Sequence, residues 1–388
     1  MVIETDAWVL RAGPKPAAAG PVPGQLERDR VRIPDLDDHE VLVEPLYGSW
    51  EANLNHAIAR SPIDVCHQRG EDQVVLGNAG VVRVLRPGNG VTTLTEGDVC
   101  LLMPFGQLDR HGYVELAYAY DAPGTYGLLA RRTKFPAEVL LPLPATTRYP
   151  LHQWATYGRY FTAWDNWRVT YACWRAQLPD EDPAGHLVFG WGGGVALAEL
   201  ELARQAGFTV AMTASRDDRL RLLAEHGIIP VDRREFTGLA DGDDVPGGRD
   251  RRRAAQGAFL TRIGELSGGR GVSMFLDNIG GPLYRTVIRS LSRQGVVSTV
   301  GWKAGMDLSY KRASECINRH LHVNTHVWRQ QDCPTIRDLC ESSGWLAEVD
   351  RAGVYAFDDV PQLAADYGAD KLDTYFPLYS VNDETPSA

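Results

Sequence analysis

The feature that most constrains the fold is a glycine-rich turn between an apolar strand pattern and a helix pattern. Residues 187–196 read LVFGWGGGVA, and the helix pattern GGVALAELELARQAGF begins within the turn. Such a turn brings backbone N–H groups at a helix N-terminus against a pyrophosphate, which bulky side chains would prevent. We therefore predict dinucleotide binding at Gly190, Gly193 and Ala196, with Ala196 where the helix packs closely on the strand. The alternative is a glycine-rich turn that binds nothing.

Beyond this turn, strand and helix patterns alternate. The strand patterns TVAMTAS and GIIPVDR flank the helix pattern DDRLRLLAEHG, and VSMFLDNIG and GVVSTVGW follow as buried-type strands. Strands that alternate with helices of about 10–15 residues are typical of a parallel, doubly wound sheet. Residues 40–144 instead contain short strand patterns separated by Gly and Pro, which predicts a β-rich domain. The predicted fold class is α/β, with residues 1–30 as an irregular lead-in and 237–256 as a surface loop.

The residues after the second strand pattern predict which dinucleotide binds. An Asp or Glu at this position contacts the ribose 2′-OH of NAD, whereas basic residues hold the 2′-phosphate of NADP. This chain has Ser215, Arg216 and Arg219, while Asp217 and Asp218 follow where they can cap the next helix. We predict NADPH as the cofactor. The alternative is that the arginines form a solvated helix start.

Composition argues against some classes of function. The formal net charge of −10 over 388 residues argues against nucleic-acid binding, which needs a basic surface. No apolar run reaches the roughly 18 residues of a membrane span, and the first residues do not resemble a secretory signal. The 6 cysteines are scattered without a C-x-x-C pair, so we expect reduced thiols and a cytoplasmic protein.

Three segments, together with the domain order, carry a resemblance to a known family. HEVLVEPLYGS, VVLGNAGVVRVLRPGNGVTTLTEGDVCLL and FLDNIGG are similar to three segments of the medium-chain dehydrogenase/reductase superfamily. They resemble its first strand pair, its glycine-valine stretch and its Asp-Asn-x-Gly-Gly strand end. The resemblance extends from about Glu40 and implies a GroES-like β-rich catalytic domain over 1–150. It also implies a Rossmann NADPH-binding domain over 151–322 and a C-terminal return to the catalytic domain over 323–388.

Zinc-binding members of this superfamily carry a Cys in the first strand pair and His-Glu after a glycine. Here Ser49 lies in the first strand pair, and Gly77 is followed by Asn78 and Ala79. Amide and methyl groups do not replace imidazole and thiolate as zinc ligands, and the cysteine cluster of the structural zinc lobe is missing. We therefore expect no metal. Without a metal to polarise a carbonyl, the resemblance favours reduction of a C=C bond conjugated to a carbonyl.

Within the zinc-free branch, the chain most resembles the crotonyl-CoA carboxylase/reductases. The segments ANLNHAIA, YAYDAPGT, GVVSTVGWKAGMDLSY and VNTHVWRQ carry this resemblance. That group uses an Asn, an aromatic–acid pair and a His to hold CO2 and an ordered water. The acid is an Asp here where the family has a Glu, which is one methylene longer. The matching residues imply a catalytic set of Asn55 (or Asn53), Tyr120, Asp121 and His326.

The activity implied by the resemblance is NADPH-dependent reduction of an α,β-unsaturated acyl thioester, carried by CoA or an acyl carrier protein. Asn278 and Gly301 are implied cofactor contacts. After hydride addition at the β-carbon, CO2 or a proton would quench the α-carbon, with Asn55 and His326 holding the electrophile and Asp121 orienting His326. Two alternatives stay open: a quinone-oxidoreductase-like reductase of free enones, and an NADPH-binding protein without turnover. A homo-oligomer, either dimer or tetramer, is also expected.

Two groups of residues have both a structural and a functional interpretation. An arginine cluster at 249–253 is either part of a solvated loop or a binding surface for a carrier phosphate. Four tryptophans precede the glycine-rich turn, and they either pack in the core or form an aromatic wall for the substrate. Their helical spacing favours core packing. They are Trp154, Trp164, Trp167 and Trp174.

Overall fold

The structure is a computed structural model that describes residues 2–14, 20–242, 244–301, 303, 305 and 307–385. Contacts within the chain divide it into two compact units. Unit 1 comprises Met1–Phe161 and Arg329–Ala388, and unit 2 comprises Thr162–Trp328. Unit 1 is therefore built from two segments of the chain, and unit 2 from one.

Strands and helices follow each other in this order. The strands are β1 (Val2–Arg11), β2 (Leu26–Pro34), β3 (Glu40–Ser49), β4 (Gln73–Val74), β5 (Gly80–Pro87), β6 (Val99–Leu102), β7 (Phe105–Leu108), β8 (Val114–Ala117), β9 (Thr133–Pro136), β10 (Leu140–Pro142), β11 (Leu187–Trp191), β12 (Thr209–Ala214), β13 (Ile229–Asp232), β14 (Val272–Asp277), β15 (Leu291–Thr299), β16 (His322–Thr325) and β17 (Leu378–Ser380). The α-helices are α1 (Ala52–Ala59), α2 (Val65–Arg69), α3 (Leu151–Trp154), α4 (Tyr157–Gln177), α5 (Gly194–Gln205), α6 (Asp217–Glu225), α7 (Gly248–Ser267), α8 (Tyr284–Ser290), α9 (Cys333–Ser343) and α10 (Val360–Gly368). Across the described residues, no helix combines the length and the apolar character needed to cross a bilayer.

Unit 1 contains a curled antiparallel sheet. Its strand order is β10–β6–β5–β3–β17, and β9 also pairs with β3. Valines of β3 and β5 alternate into one apolar cluster with Phe135, so the period-two pattern of the sequence becomes the core of this sheet. The second segment of the unit supplies β17, where Leu378 pairs with Ser49 of β3. Residues from both segments therefore complete the sheet.

The prediction of an irregular lead-in over residues 1–30 is wrong, because β1 and β2 form a long antiparallel pair. Thr5, Ala7 and Val9 of β1 are buried and alternate with the half-buried Asp6 and Trp8. One cross-strand ion pair joins Arg11 Nε to Glu27 Oε2 at 2.7 Å. The period of two was hidden in the sequence by the Ala, Pro and Gly residues between the two strands.

Unit 2 contains a parallel sheet with the strand order β13–β12–β11–β14–β15–β16. Every residue of β11 and β14 is buried. Burial on both faces explains why these strands are mostly apolar in the sequence, although Ser273 and Asp277 of β14 are buried as well. The order places the carboxyl ends of β12, β11 and β14 side by side, as in dinucleotide-binding sheets. The parallel sheet predicted from the alternating pattern is confirmed.

The predicted surface loop over 237–256 is wrong in its second half, because α7 begins at Gly248. The arginines of its first turns face outward, so this part of the sequence shows no apolar period. The apolar face begins at Ala255 and continues through Phe259 and Ile263, which are all buried. The pattern that identifies the helix therefore lies mostly beyond the polar stretch.

Three of the four tryptophans pack in the core. Trp154 of α3 and Trp174 of α4 are fully buried and Trp167 of α4 is 7% exposed, whereas Trp164 of α4 is partly exposed. In unit 2, the rings of Trp167 and Tyr171 stack with centroids 5.2 Å apart, and Phe208 meets the Trp174 ring edge-on at 5.0 Å. These contacts favour the core-packing interpretation of the tryptophans.

The core of unit 2 also contains a polar network around a buried glutamate. Glu199 of α5 is fully buried and accepts a hydrogen bond from the amide of Asn166 on α4. The Asn166 Oδ1 accepts in turn from Ser298 Oγ at 2.8 Å and from Asn324 Nδ2 at 3.2 Å. Burial raises the pKa of Glu199 to about 8, although the Asn166 hydrogen bond opposes this shift. Glu199 is therefore mostly protonated near neutral pH.

Replacing Glu199 should change how stability depends on pH. The folded protein keeps a proton that the unfolded chain loses above its ordinary pKa, so wild-type stability falls as pH rises from about 5 to 8, by about 1.4 kcal/mol per pH unit from this group. The Glu199→Gln variant should lack this decline in denaturant unfolding measured across that range. Exposed Glu225→Gln is the matched control and should follow wild type. Parallel curves for wild type and Glu199→Gln would contradict the assignment.

Candidate functional site

The glycine-rich turn at the end of β11 combines close packing with open space. A Cβ added to Gly190 would lie 3.1 Å from Leu200 Cδ1 and 3.7 Å from Ala196 Cβ, so the strand and α5 need small residues there. Gly192 has a φ of +130°, and an added Cβ would lie 2.9 Å from Asn278 Cβ. At Gly193, just before α5, an added Cβ would meet no atom within 4 Å. The turn is thus closely packed at Gly190 and Gly192, and it has open space at Gly193.

A buried carboxylate fixes the ends of β11 and β14 relative to each other. Asp277 is 1% exposed and accepts a hydrogen bond from Trp191 Nε1 at 2.8 Å. The same Oδ1 also accepts from the backbone N–H groups of Ile279 at 3.0 Å and Gly280 at 2.9 Å. Asp277 therefore holds the glycine turn beside the chain reversal after β14.

Asn278 joins two of the predicted cofactor contacts. Its Oδ1 accepts from the backbone N–H groups of Val300 at 3.2 Å and Gly301 at 3.3 Å, so Asn278 and Gly301 lie together. Its Nδ2 is buried and has no hydrogen-bond partner among the described residues. An unpaired buried donor is costly, and it is commonly explained by a ligand or water at that place.

At the end of β12, the three predicted phosphate contacts lie at the start of α6. Arg216 binds the carboxylate of Asp218 at 3.1 Å, and this hydrogen bond lowers the pKa of Asp218. The backbone N–H of Arg219 donates to Asp218 at 2.9 Å, so Asp218 organises the first turn of the helix. The two aspartates do occupy the helix start, as the sequence predicted.

Sequence analysis missed Arg233, which reaches the same place from the neighbouring strand. Its Nη2 donates to Ser215 Oγ at 3.0 Å. The two residues follow paired strand ends, since Ala214 of β12 lies opposite Asp232 of β13. Only the strand order makes Arg233 a neighbour of Ser215. The next residue, Arg234, is bound instead to two carboxylates, of Asp232 and Asp217.

His326 has an acidic partner that sequence analysis also missed. Its Nε2 lies 2.9 Å from Asp165 Oδ2, and both side chains are buried, at 6% and 3% exposure. Arg168 Nη2 lies 3.2 Å from the other oxygen of Asp165. A buried carboxylate at this distance fixes the ring orientation of its histidine. Asp165 lies on α4, far from His326 in the sequence, so no local pattern links them.

The side-chain amide of Asn55 in unit 1 makes two structural hydrogen bonds. Its Oδ1 accepts from Trp50 Nε1 at 2.6 Å, and its Nδ2 donates to the Ala364 carbonyl at 3.1 Å. The amide thus ties α1 to α10. Asn53, the second candidate of this motif, donates from Nδ2 to Asn78 Oδ1 at 3.2 Å. Its Oδ1 is buried and unpaired among the described residues, so Asn53 has the freer amide.

Tyr120 and Asp121 lie in the turn that follows β8. Asp121 Oδ1 accepts from the Ala117 backbone N–H at 2.6 Å, and burial raises the pKa of this carboxyl group. Burial raises the pKa of Tyr120 to about 12. Arg69 donates to the Tyr120 carbonyl at 3.3 Å and shapes the turn. These contacts place Asp121 in a hydrogen-bonded turn.

The residues at the positions of zinc ligands make amide contacts instead. Asn78 is 1% exposed, and its Oδ1 accepts a hydrogen bond from Asn53 Nδ2. In the described part of the chain, no group of three His, Cys, Asp or Glu residues could hold a metal ion.

Comparison with known proteins gives matches only among solved structures. No protein-family model matches the sequence, and no curated protein matches it. The crotonyl-CoA carboxylase/reductase AntE in complex with NADP is 19% identical, with a TM-score of 0.77 over 98% of this chain and 96% of that chain. The 2-octenoyl-CoA carboxylase reductase CinF, in complex with NADP and 2-octenoyl-CoA, is 19% identical, with a TM-score of 0.74 over 98% and 89%. A thermostable alcohol dehydrogenase from Pyrobaculum aerophilum is 17% identical, with a TM-score of 0.70 over 97% and 100%.

These matches determine the fold. The chain has a medium-chain dehydrogenase/reductase fold. Its curled antiparallel sheet and its parallel sheet match the GroES-like and Rossmann domains of these neighbours, which confirms the predicted fold class. The predicted resemblance to crotonyl-CoA carboxylase/reductases is confirmed at the level of the fold.

Proposed function

We propose that this protein is an NADPH-dependent reductase of α,β-unsaturated acyl thioesters. The observation that carries the proposal is the glycine-rich turn of unit 2, which is closely packed at Gly190 and Gly192 and has open space at Gly193. An open glycine turn at the N-terminus of a central helix suits a pyrophosphate. Two fold neighbours, AntE and CinF, are solved with NADP, and CinF also with 2-octenoyl-CoA, which supports both parts of the proposal.

The residues of unit 2 fit a bound dinucleotide. The backbone N–H groups after Gly193 would hold the pyrophosphate, and the unpaired Asn278 Nδ2 would donate to the cofactor. Ser215, Arg216 and Arg233 would hold the 2′-phosphate, with Arg219 beside them. NADPH, when bound, supplies a hydride. The protein's part is to orient the reacting groups and to exclude water.

NADPH should bind at least tenfold more tightly than NADH, a difference in binding free energy of about 1.4 kcal/mol. The reason is that arginines, not an acidic residue, would lie beside the ribose 2′ position. Fluorescence titration of both cofactors measures this difference. Arg233→Ala and Arg216→Ala should reduce the preference. Arg234→Ala is the matched control and should preserve it, since Arg234 is bound to two carboxylates. Gly193→Ala should weaken both cofactors alike. Equal dissociation constants in wild type would contradict the proposal.

The substrate side of the proposal rests on unit 1 and on the His326–Asp165 pair. We propose that unit 1 is the catalytic domain, with Tyr120, Asp121 and an asparagine of α1 as its site residues. His326, held in place by Asp165, would donate a hydrogen bond to the electrophile that reacts at the α-carbon. The resulting reaction is zinc-independent reduction, with CO2 or a proton as the electrophile.

NADPH consumption across enoyl-CoA esters of increasing chain length, with and without bicarbonate, tests the function. We expect the protein to oxidise NADPH rapidly with enoyl-CoA and only slowly with free enones. Faster turnover of free enones would favour a quinone-oxidoreductase-like activity instead. Tight NADPH binding without turnover on either class would favour a binding protein. A carboxylated product at saturating bicarbonate would identify CO2 as the electrophile.

His326 should act after hydride transfer. The His326→Asn variant should still oxidise NADPH with enoyl-CoA at a substantial rate, while any carboxylated product decreases and the simply reduced product increases. Product analysis by mass spectrometry measures this ratio. His322→Asn, an exposed histidine on β16, is the matched control. If His326→Asn abolishes NADPH oxidation while NADPH still binds, the histidine belongs to the hydride step and this role is wrong.

A further inference from the structure

A largely buried ion pair in unit 1 lies beside the turn that follows β8. Arg69, the last residue of α2, has a side chain that is 1% exposed, and its partner Glu71 is 26% exposed. The Glu71 carboxylate accepts from Arg69 Nε at 3.2 Å and from Nη2 at 2.7 Å. Two parallel bonds of this kind fix the plane of the guanidinium as well as its position. The pair therefore presents its remaining donors and acceptors in a defined direction.

Those remaining groups bind the backbone of the turn. Arg69 Nη1 donates to the Tyr120 carbonyl at 3.3 Å, and Nη2 donates to the Thr125 carbonyl at 2.7 Å. Glu71 Oε1 accepts from the Gly124 backbone N–H at 2.7 Å. One ion pair, from a different part of the chain, thus holds three backbone groups of the turn. Burying such a pair contributes little net stability, so its main effect is on the geometry of what it binds.

The turn has a backbone conformation that depends on its surroundings. Ala119 has a φ of +58°, in the left-handed region that residues with a Cβ adopt only at a cost. Such a conformation persists where neighbouring contacts hold it. Inside the turn, the Ala119 N–H donates to Thr125 Oγ1 at 2.9 Å, and Asp121 Oδ1 accepts from the Ala117 N–H at 2.6 Å. The direction of the Asp121 side chain therefore depends on the closure of the whole turn.

We propose that Arg69 and Glu71 are positioning residues, which hold Tyr120 and Asp121 in the arrangement that the reaction needs. This inference rests on the proposed function, in which those two are site residues of unit 1. The carbonyl that Arg69 holds belongs to the peptide bond between Tyr120 and Asp121, so a shift of that peptide moves both side chains. The pair acts through the turn and not on the substrate. Misplacement of a reacting group by about 1 Å lowers the rate by up to about 100-fold.

The Arg69→Lys variant tests this role, because lysine keeps the charge and loses the two parallel bonds to a carboxylate. With enoyl-CoA and NADPH, kcat should fall about 10- to 100-fold, while KM and the NADPH dissociation constant stay within about twofold. Glu71→Gln keeps the shape of the side chain and removes its charge, so kcat should fall less. Arg86→Lys is the matched control and should follow wild type, since Arg86 pairs with Asp35 at 2.6 Å elsewhere in unit 1.

A double-mutant cycle shows whether the effect passes through the turn. In a background that carries Tyr120→Phe and Asp121→Asn, Arg69→Lys should lower kcat by less than about twofold, because the positioned groups are already gone. A loss of the same factor in both backgrounds would overturn the positioning role. An unchanged kcat in the single variant Arg69→Lys would overturn it as well.

Hydrogen exchange on the protein without substrate separates this inference from the proposed function. In Arg69→Lys and Glu71→Gln, the backbone N–H groups of residues 117–125 should exchange faster than in wild type, because the turn opens more often. Unchanged exchange would show that the pair does not hold the turn. If wild type oxidises NADPH with no enoyl-CoA, the proposed function fails, and the exchange rates still decide whether the pair holds the turn.

Discussion

The candidate cofactor site depends on one buried carboxylate, that of Asp277. Its Oδ1 holds Trp191 of β11 and the first two N–H groups of the reversal after Asn278, and Asn278 in turn holds Val300 and Gly301 beyond β15. Three neighbouring strand ends are thereby joined by hydrogen bonds that are buried or partly buried. Because hydrogen bonds are stronger where water is partly excluded, they stabilise the turn before α5. A preorganised turn binds phosphate without a cost for ordering the loop.

The sequence allows the fold to be predicted where burial leaves a local pattern. The parallel sheet was predictable because β11 and β14 are buried along their whole length and are mostly apolar. The pair of β1 and β2 was not, because charged residues make up most of β2 and Ala, Pro and Gly fill the connection. The start of α7 was missed for a related reason, since its first turns point arginines to solvent and the apolar face begins only at Ala255.

The candidate site was predictable only where its residues are neighbours along the chain. Gly190, Gly193 and Ala196 belong to one turn, and their spacing alone predicts their packing. Arg233 meets Ser215 only because β13 pairs with β12, and Asp165 meets His326 across a long sequence separation. Partners of this kind are set by the tertiary structure, so composition and spacing carry no signal for them.

The two-segment origin of unit 1 has a consequence for the order of events during synthesis. Unit 2 occupies one continuous stretch, 162–328, and its sheet can close as soon as that stretch leaves the ribosome. The sheet of unit 1 must wait for β17, whose Leu378 pairs with Ser49 more than three hundred residues earlier. Until then, the edge of β3 that β17 covers remains open to other strands. All strands of the unit 2 sheet are therefore synthesised before the last strand of the unit 1 sheet.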